Sequence, residues 1–381
     1  MTRVDVRPEL LRWALQRSGH GVADLARRYA KLEAWLGGTA SPTLKQLESF
    51  ARATYTPIGY LFLAAPPVEQ VPIPDFRTMA GSWLERPSPN LLDTVYVCQQ
   101  RQDWYRDAVR GLGEAELEFV GSARVTDDVV ATAARMRATL GFDLAERQTL
   151  STWTEALRRF IAQADDAGVL VMVSGVVGSN NRRKLDPDEF RGFALADRLA
   201  PLVFINGADT KAAQMFTMAH ELAHVWLGES GISDSQALRV PDGVTEQWCN
   251  RVAAELLVPL ELVQREHRVG AQPQQEAQRL ARRFKVSTLV ILRRMHDAGA
   301  LTARELSAAY EEELERLLRI PVQSGGDFYL TTGARVSKRF ARTLVISTLE
   351  GRTTFSESFR LLGLKKMATF NELGNSLGVP L

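Results

Sequence analysis

The stretch that decides the fold of this 381-residue chain is Met218-Ala-His-Glu-Leu-Ala-His-Val-Trp-Leu227. His220 and His224 are four residues apart, so on a helix both imidazoles lie on one face and reach a single metal ion. Glu221 lies beside them and is placed to act on a water molecule held by that metal. The sequence therefore predicts a Zn2+ site in which His220 and His224 are ligands and Glu221 is the catalytic base.

The helix that carries the two histidines is predicted to be buried. It is expected to run from Thr210 to Leu227, and its only formally charged side chain between Ala212 and Gly228 is Glu221. A buried carboxylate requires a partner or a metal ion. The alternative is a core helix whose histidines bond to the backbone and whose glutamate is partly exposed.

A catalytic zinc takes a third protein ligand, which is expected from the next helix, predicted over Asp242–Leu257. This helix offers Glu246 and Glu255, and nine residues at about 100° each place them on opposite faces. Glu255 has Arg251 four residues before it, which suits an ordinary surface ion pair. Glu246 is therefore the predicted ligand, and the alternative for Glu246 is a solvated acid favoured by the helix dipole.

The face that carries Glu246 suits close approach of another helix because its other members are small or apolar: Cys249, Asn250, Ala253 and Leu257. Asn250 is one turn after Glu246 and is predicted to bond the outer nitrogen of a ligating histidine, which holds its tautomer. Zinc with two histidines and one glutamate is typical of amide hydrolysis. The strand predicted just before the metal helix, Leu202–Asn206, is either sheet core or an edge that binds an extended peptide.

Composition excludes several classes of protein. The chain is 45% hydrophobic and 24% charged with a formal charge of +2, so it is neither disordered nor a polycation. No run approaches 18 apolar residues, and the first residues lack the apolar core of a signal peptide. Cys98 and Cys249 cannot form a disulfide framework. We therefore expect a cytoplasmic protein with no membrane partner.

Helix-breaking Gly and Pro residues and shifts in composition divide the chain into four parts. Residues 1–63 hold nine basic and five acidic residues in short helical stretches, and residues 64–87 form a Pro-rich linker. Residues 88–260 mix helices with three short strands around the metal motif, and residues 261–381 form a helical C-terminal region. The predicted helices include Val22–Tyr29, Thr149–Ala167 and Arg335–Gly351. The expected fold class is α+β and predominantly helical, with a small sheet.

The metal motif and its neighbours resemble the ImmA/IrrE family of bacterial metallo-endopeptidases, within the gluzincins. The resemblance rests on Phe190-Arg-Gly-Phe-Ala-Leu, Pro201-Leu-Val-Phe-Ile-Asn206, the His220–His224 motif and the Glu246–Pro259 pattern, and extends to Gly325-Gly-Asp-Phe-Tyr and Phe355-x-x-x-Phe-Arg-Leu-Leu-Gly. It implies a zincin-like domain over 88–260. Gluzincins often have Asp where this chain has Asn250.

The N-terminal part resembles the Xre, or lambda-repressor-like, DNA-binding domain. The resemblance is carried by Leu32-Glu-Ala-Trp-Leu-Gly-Gly and by Ser41-Pro-Thr-Leu-Lys-Gln-Leu-Glu. It implies a helix-turn-helix domain over 1–63, with Arg27, Arg28 and Lys31 as candidate DNA contacts. Only two residues separate Arg28 from Lys31, so the turn and the recognition helix are compressed. The alternative is a helical bundle that has lost base readout.

Two functions follow from these resemblances. The first is a zinc endopeptidase coupled to a DNA-binding domain, which cleaves a protein substrate such as a helix-turn-helix repressor or a neighbouring-gene product in a stress or mobile-element response. The second is an Xre-type transcription regulator, such as the antitoxin of a toxin–antitoxin pair, in which the peptidase fold senses or binds a partner.

Overall fold

The computed structural model describes residues 3–75, 87–233, 243–319 and 332–379. Among these residues the chain forms two compact units. The first contains 3–72 and 87–95, and the second contains 73–75 and the described residues from 96 onward. Within the described ranges, no helix is both long enough and apolar enough to cross a membrane.

The first unit is a small helical bundle. Its elements are α1 (Pro8–Ser18), α2 (Val22–Ala26), α3 (Leu32–Leu36), α4 (Leu44–Ala53) and a 3-10 turn (Ile58–Phe62). Its buried core includes Leu10, Leu11, Trp13, Leu32, Trp35, Leu47 and Phe50. Thr43 and Gln46 form a capping box that fixes the start of α4. The second helix was predicted to extend to Tyr29, but it ends at Ala26, so α2 and α3 have five residues each.

The segment after the bundle contains the predicted Pro-rich linker. Within 64–72 no helix or strand forms, and Arg17 makes a bidentate ion pair with Glu69 at 2.6 and 2.8 Å. Asp75 pairs with Ile232 in the second unit. Residues 76–86 of the predicted linker lie outside the described residues.

The second unit is built mainly from helices. Its long first helix, α5 (Pro89–Gly111), begins in the first unit and belongs to the second from Tyr96. The other helices before the metal motif are α6 (Val129–Leu140), α7 (Leu144–Thr149) and α8 (Trp153–Asp166). The sequence predicted one helix from Thr149 to Ala167, but Thr152 caps a new helix and separates α8 from α7.

A four-stranded sheet lies within this unit. Its strands are β1 (Leu170–Ser174), β2 (Gly192–Leu195), β3 (Leu202–Asn206) and β4 (Gly231–Ser233). The strand order is β1-β3-β2-β4, with β1 parallel to β3 and β2 antiparallel to both β3 and β4. Because β3 is bonded on both sides, the suggestion that Leu202–Asn206 presents a peptide-binding edge is wrong.

Two helices carry the candidate metal-binding residues, α9 (Lys211–Leu227), which follows β3, and α10 (Val244–Leu257), which follows β4. Thr210 caps the start of α9, and Gly228 ends it at φ 74°, a left-handed conformation that favours glycine. Helix α9 is buried from Gln214 to Trp226, as its lack of charge predicted. Helix α10 packs against α9.

The C-terminal part is helical. Its elements are α11 (Leu260–Glu266), α12 (Pro273–Phe284), α13 (Thr288–Asp297), α14 (Ala303–Leu318), α15 (Thr332–Val336), α16 (Lys338–Leu349), α17 (Phe355–Leu362) and α18 (Met367–Ser376). A single hydrophobic core runs from Val120 to Ala309 and includes residues on both sides of position 260. The predicted helix Arg335–Gly351 is broken at Ser337, whose φ is 66°. The Gly325-Gly-Asp-Phe-Tyr motif lies outside the described residues.

These elements confirm the prediction of a predominantly helical α+β fold with a small sheet. The assignment of residues 1–63 to the helix-turn-helix class stays a prediction.

Candidate metal centre

The structure brings His220, His224 and Glu246 together in the interior of the second unit. One nitrogen from each imidazole and one oxygen of Glu246 lie within 4.8 Å of one another. Both histidines are fully buried, and Glu246 is 2% exposed. The group is formed because α10 packs against α9. Cys249 and Ala253, which share a face of α10 with Glu246, are buried.

The distances between these atoms suit one small cation. His220 Nε2 lies 3.2 Å from Glu246 Oε2, His224 Nε2 lies 3.0 Å from Glu246 Oε1, and the two Nε2 atoms are 3.1 Å apart. Ligand atoms held at about 2.0–2.1 Å from a tetrahedral zinc ion stand about 3.3 Å apart. The three side chains therefore fit zinc in both donor type and spacing.

The hydrogen bonding of Glu246 also favours a metal ion at this group. Among the described residues, neither of its buried carboxylate oxygens accepts a hydrogen bond of good geometry, although both face imidazole nitrogens. A buried carboxylate without hydrogen bonds is costly unless a cation compensates it. This is the observation in the structure itself that favours a metal at this group.

Asn250 fixes the orientation of one candidate ligand, His220. His220 Nδ1 lies 2.9 Å from Asn250 Oδ1 and donates its proton to that oxygen. The remaining nitrogen, Nε2, then keeps its lone pair for a cation on the side of Glu246. A cavity of about 670 Å³ borders α10 and is lined by Phe216, Trp248, Asn250 and Glu255 among others. Asn250 therefore lines this cavity and also bonds His220.

The titration of the group reflects burial and mutual attraction. Burial lowers the pKa of His220, but the Glu246 and Glu221 carboxylates and the hydrogen bond to Asn250 together raise it by more, so the net shift is upward. Burial raises the pKa of Glu246, and the two imidazoles more than reverse this, so its pKa is well below the usual value. His224 has a lowered pKa, chiefly because it is buried. Glu246 is therefore ionised, as a ligand must be.

Glu221 lies next to the ligand group but is not part of it. Burial raises its pKa to about 8, and among the described residues its Oε1 atom has no hydrogen-bond partner. Ser233 links Glu221 to the group of candidate ligands. Its hydroxyl donates to Glu221 Oε2 at 3.4 Å and lies 3.1 Å from His224 Nε2. A carboxylate with a pKa near neutrality, beside a metal site, is suited to proton transfer.

Ser233 and Gly192 are residues of the site that the sequence analysis missed. They face each other across the β2–β4 pair, and a Cβ added at Gly192 would lie 3.1 Å from Glu221 Oε1. Gly192 lies within the Phe190-Arg-Gly-Phe-Ala-Leu stretch that carried the family resemblance, whereas Ser233 lies in β4, a strand that the sequence did not predict. Neither residue carries a functional pattern of its own.

Replacing Gly192 with Ala is expected to destabilise the fold by about 1–3 kcal/mol, a typical cost of overpacking. The new methyl group would meet Thr217 Cγ2 at 2.6 Å and the Phe204 carbonyl oxygen at 2.8 Å. Urea unfolding measures the effect. Gly111→Ala is the matched control because nothing lies within 4 Å of a Cβ there. Equal stability of the two variants would contradict the close packing described for Gly192.

Glu255, the competing ligand, lies away from the metal group. It is buried and pairs with Arg294, whose guanidinium also donates to the Val258 carbonyl oxygen at 2.9 Å. The surface ion pair with Arg251 that the sequence suggested is therefore wrong, since the partner of Glu255 comes from α13. Helix α10 presents Glu246 and Glu255 to different surroundings, as the helical spacing indicated.

The candidate DNA contacts lie in the first unit. Arg27, Arg28 and Lys31 are exposed between α2 and α3. The Arg28 guanidinium lies over the ring of Tyr29 and donates to Ser49 Oγ at 3.2 Å. The structure thus places these three cations on one connection of the bundle, where they are accessible to a phosphate backbone.

The fold and the site define a metallopeptidase-like module. Residues 164–296 match the model of peptidase family M78, described as the IrrE N-terminal-like domain. This match contains the three candidate ligands and Glu221, and supports the resemblance to the ImmA/IrrE family. Residues 336–376 match a domain of unknown function, DUF8813. No curated protein matches the chain.

Proposed function

We propose that this protein is a zinc-dependent endopeptidase that cleaves a repressor-like regulatory protein. The observation that carries the proposal is the buried convergence of His220, His224 and Glu246 beside Glu221, within a region that matches a peptidase family. Peptidases of this family are zinc-dependent in general. Zinc held by these three residues would polarise an amide carbonyl and lower the pKa of a water molecule.

The protein's own residues supply the proton transfers and the positioning. Glu221 accepts a proton from the attacking water and delivers it to the leaving amine nitrogen. Ser233 holds the Glu221 carboxylate through its Oε2 atom, which leaves Oε1 to take the proton. Asn250 accepts the proton on His220 Nδ1 and so keeps His220 in the tautomer with an unprotonated Nε2, the nitrogen that faces Glu246.

The test is hydrolysis of candidate substrates. The purified chain, loaded with zinc, is incubated with each regulatory protein encoded by the genes that flank its own, and products are followed by mass spectrometry. We expect cleavage at a defined bond that stops when 1,10-phenanthroline removes the zinc. Failure of the fully zinc-loaded protein to cleave any of these regulatory proteins would contradict the proposal.

The exposed cations of the first unit favour a second function, DNA binding by a transcription regulator of the Xre type, such as the antitoxin of a toxin–antitoxin pair. In this proposal the peptidase-like module senses or binds a partner. It differs from the first in that it needs no hydrolysis. The two functions are compatible in one chain, since each uses a different unit.

The triple variant Arg27→Ala, Arg28→Ala and Lys31→Ala is expected to weaken binding to the DNA upstream of its own gene at least tenfold. Its slope of log affinity against log salt should become shallower by about 2–3, because each lost phosphate contact removes about 0.9. Gel retardation at several salt concentrations measures both. Arg110→Ala, Lys365→Ala and Lys366→Ala, which remove three exposed cations of the second unit, form the control. Equal slopes for the two triple variants would contradict this DNA interface.

A further inference from the structure

The edge of β4 beside the metal centre is occupied by another part of the same chain. Asp75 pairs with Ile232 in parallel register, and the Ile232 amide donates to the Pro74 carbonyl oxygen at 2.9 Å. Both partners belong to the second unit. We call residues 73–75 the edge segment.

Ile232 is the position at which β4 can receive another strand. The antiparallel pairing with β2 runs through Gly231 and Ser233 on either side of it. Because backbone groups alternate in direction along a strand, the amide and carbonyl of Ile232 point away from β2. Within the described part of β4, this residue alone offers outward backbone groups, and its amide is bonded to the edge segment.

The edge of β4 at Ile232 lies next to the candidate catalytic residues. Ser233 directly follows Ile232, and its hydroxyl contacts both Glu221 and His224. An extended polypeptide that paired with β4 would therefore run past the catalytic carboxylate, and main-chain pairing to a sheet edge is a general mode of peptide recognition. His220, Glu221 and His224 are each 0% exposed in this structure.

The edge segment and the residue before it offer few backbone donors to β4. Pro74 accepts a hydrogen bond from Ile232, but proline has no amide hydrogen, so residue 74 cannot donate to β4 in return. Pro72 lies two residues earlier in the same alternation and likewise has no donor. The pairing therefore cannot be extended toward the start of the segment.

We propose that the edge of β4 at Ile232 is the docking surface for an extended polypeptide substrate, and that the edge segment is its built-in occupant. A substrate pairs with β4 only after it displaces residues 73–75. This inference rests on the proposed peptidase function and adds to it the substrate's extended conformation and a means of restraining activity.

The test replaces Ile73-Pro74-Asp75 with Gly-Pro-Gly in the full, zinc-loaded chain. Glycines lose more conformational entropy when they pair with a strand, and the retained Pro74 adds no new donor to β4. Two probes are compared, an N-acylated dipeptide hydroxamate, which needs the edge, and acetohydroxamate, which needs only the metal. We expect about tenfold tighter binding of the dipeptide probe and unchanged binding of acetohydroxamate, as for release of an internal competitor. Hydrogen exchange at Ile232 should accelerate about tenfold, since its amide loses its partner.

The matched control makes the same replacement at Pro66-Pro67-Val68, in the first unit, and should change neither probe nor exchange at Ile232. Unchanged dipeptide affinity in the edge-segment variant, with normal acetohydroxamate binding, overturns the inference and leaves the peptidase proposal standing. If acetohydroxamate fails to bind even the zinc-loaded wild type, the peptidase proposal fails, and the inference fails with it.

Discussion

Glu221→Gln is expected to lower the rate of substrate cleavage by about 10²–10⁴-fold, the usual contribution of a positioned general base. Glutamine has nearly the same shape and keeps the contact with Ser233, but its amide cannot accept a proton from water. Glu221 lies outside the group of three convergent donor side chains. Zinc content should therefore stay at the wild-type value.

The initial rate of substrate cleavage and the zinc content are measured on the same samples. Glu261→Gln serves as the control, because it neutralises an exposed carboxylate in the first turn of α11. A Glu221→Gln variant with full activity and full zinc content would remove Glu221 from the mechanism. Loss of zinc with loss of activity would instead assign Glu221 to metal binding.

His220→Ala is expected to weaken zinc binding by on the order of a hundredfold or more. Apparent zinc-binding free energies of about 10–16 kcal/mol are shared among three or four ligands, so one ligand accounts for about 3 kcal/mol. The substitution also leaves the Glu246 carboxylate beside a single imidazole. Dialysed wild-type protein should retain about one zinc per chain, and the variant close to none.

Thermal unfolding gives an independent measure. A ligand that binds only the folded state stabilises it by about 2.7 kcal/mol at a hundred times its Kd. Added zinc should therefore raise the Tm of the wild type and leave that of His220→Ala nearly unchanged. His20→Ala, in the first unit, is the control and should respond as the wild type does. Equal zinc responses of all three proteins would place the metal elsewhere.

The parts of the fold that depend on local chemistry were predictable from the sequence. Thr210 and Gly228 fixed the limits of α9, since a side-chain cap and a left-handed glycine act on their own helix ends. Helical spacing was enough to separate Glu246 from Glu255. The boundaries of α2 and of the helices around Ser337 were missed because these breaks depend on backbone conformations that the apolar pattern does not reveal.

The remaining features depend on contacts between distant segments. The order of strands placed β3 inside the sheet and β4 at the metal centre, and no local pattern specifies strand order. Glu255 pairs with Arg294, 39 residues away, whereas the sequence offered only Arg251 four residues before it. Ser233 and Gly192 became functional candidates only when β2 and β4 were seen to meet beside Glu221.

The continuous core from Val120 to Ala309 limits how this protein can be divided. A recombinant fragment that stopped at residue 260 would lack Leu280, Phe284 and Ile291, which are buried on the same core as the metal helices. Such a fragment would display a large apolar surface to water and would aggregate. We therefore expect that a fragment with an intact metal centre must continue to at least Ala309. The same limit applies to a fragment that is transferred to another protein by gene fusion.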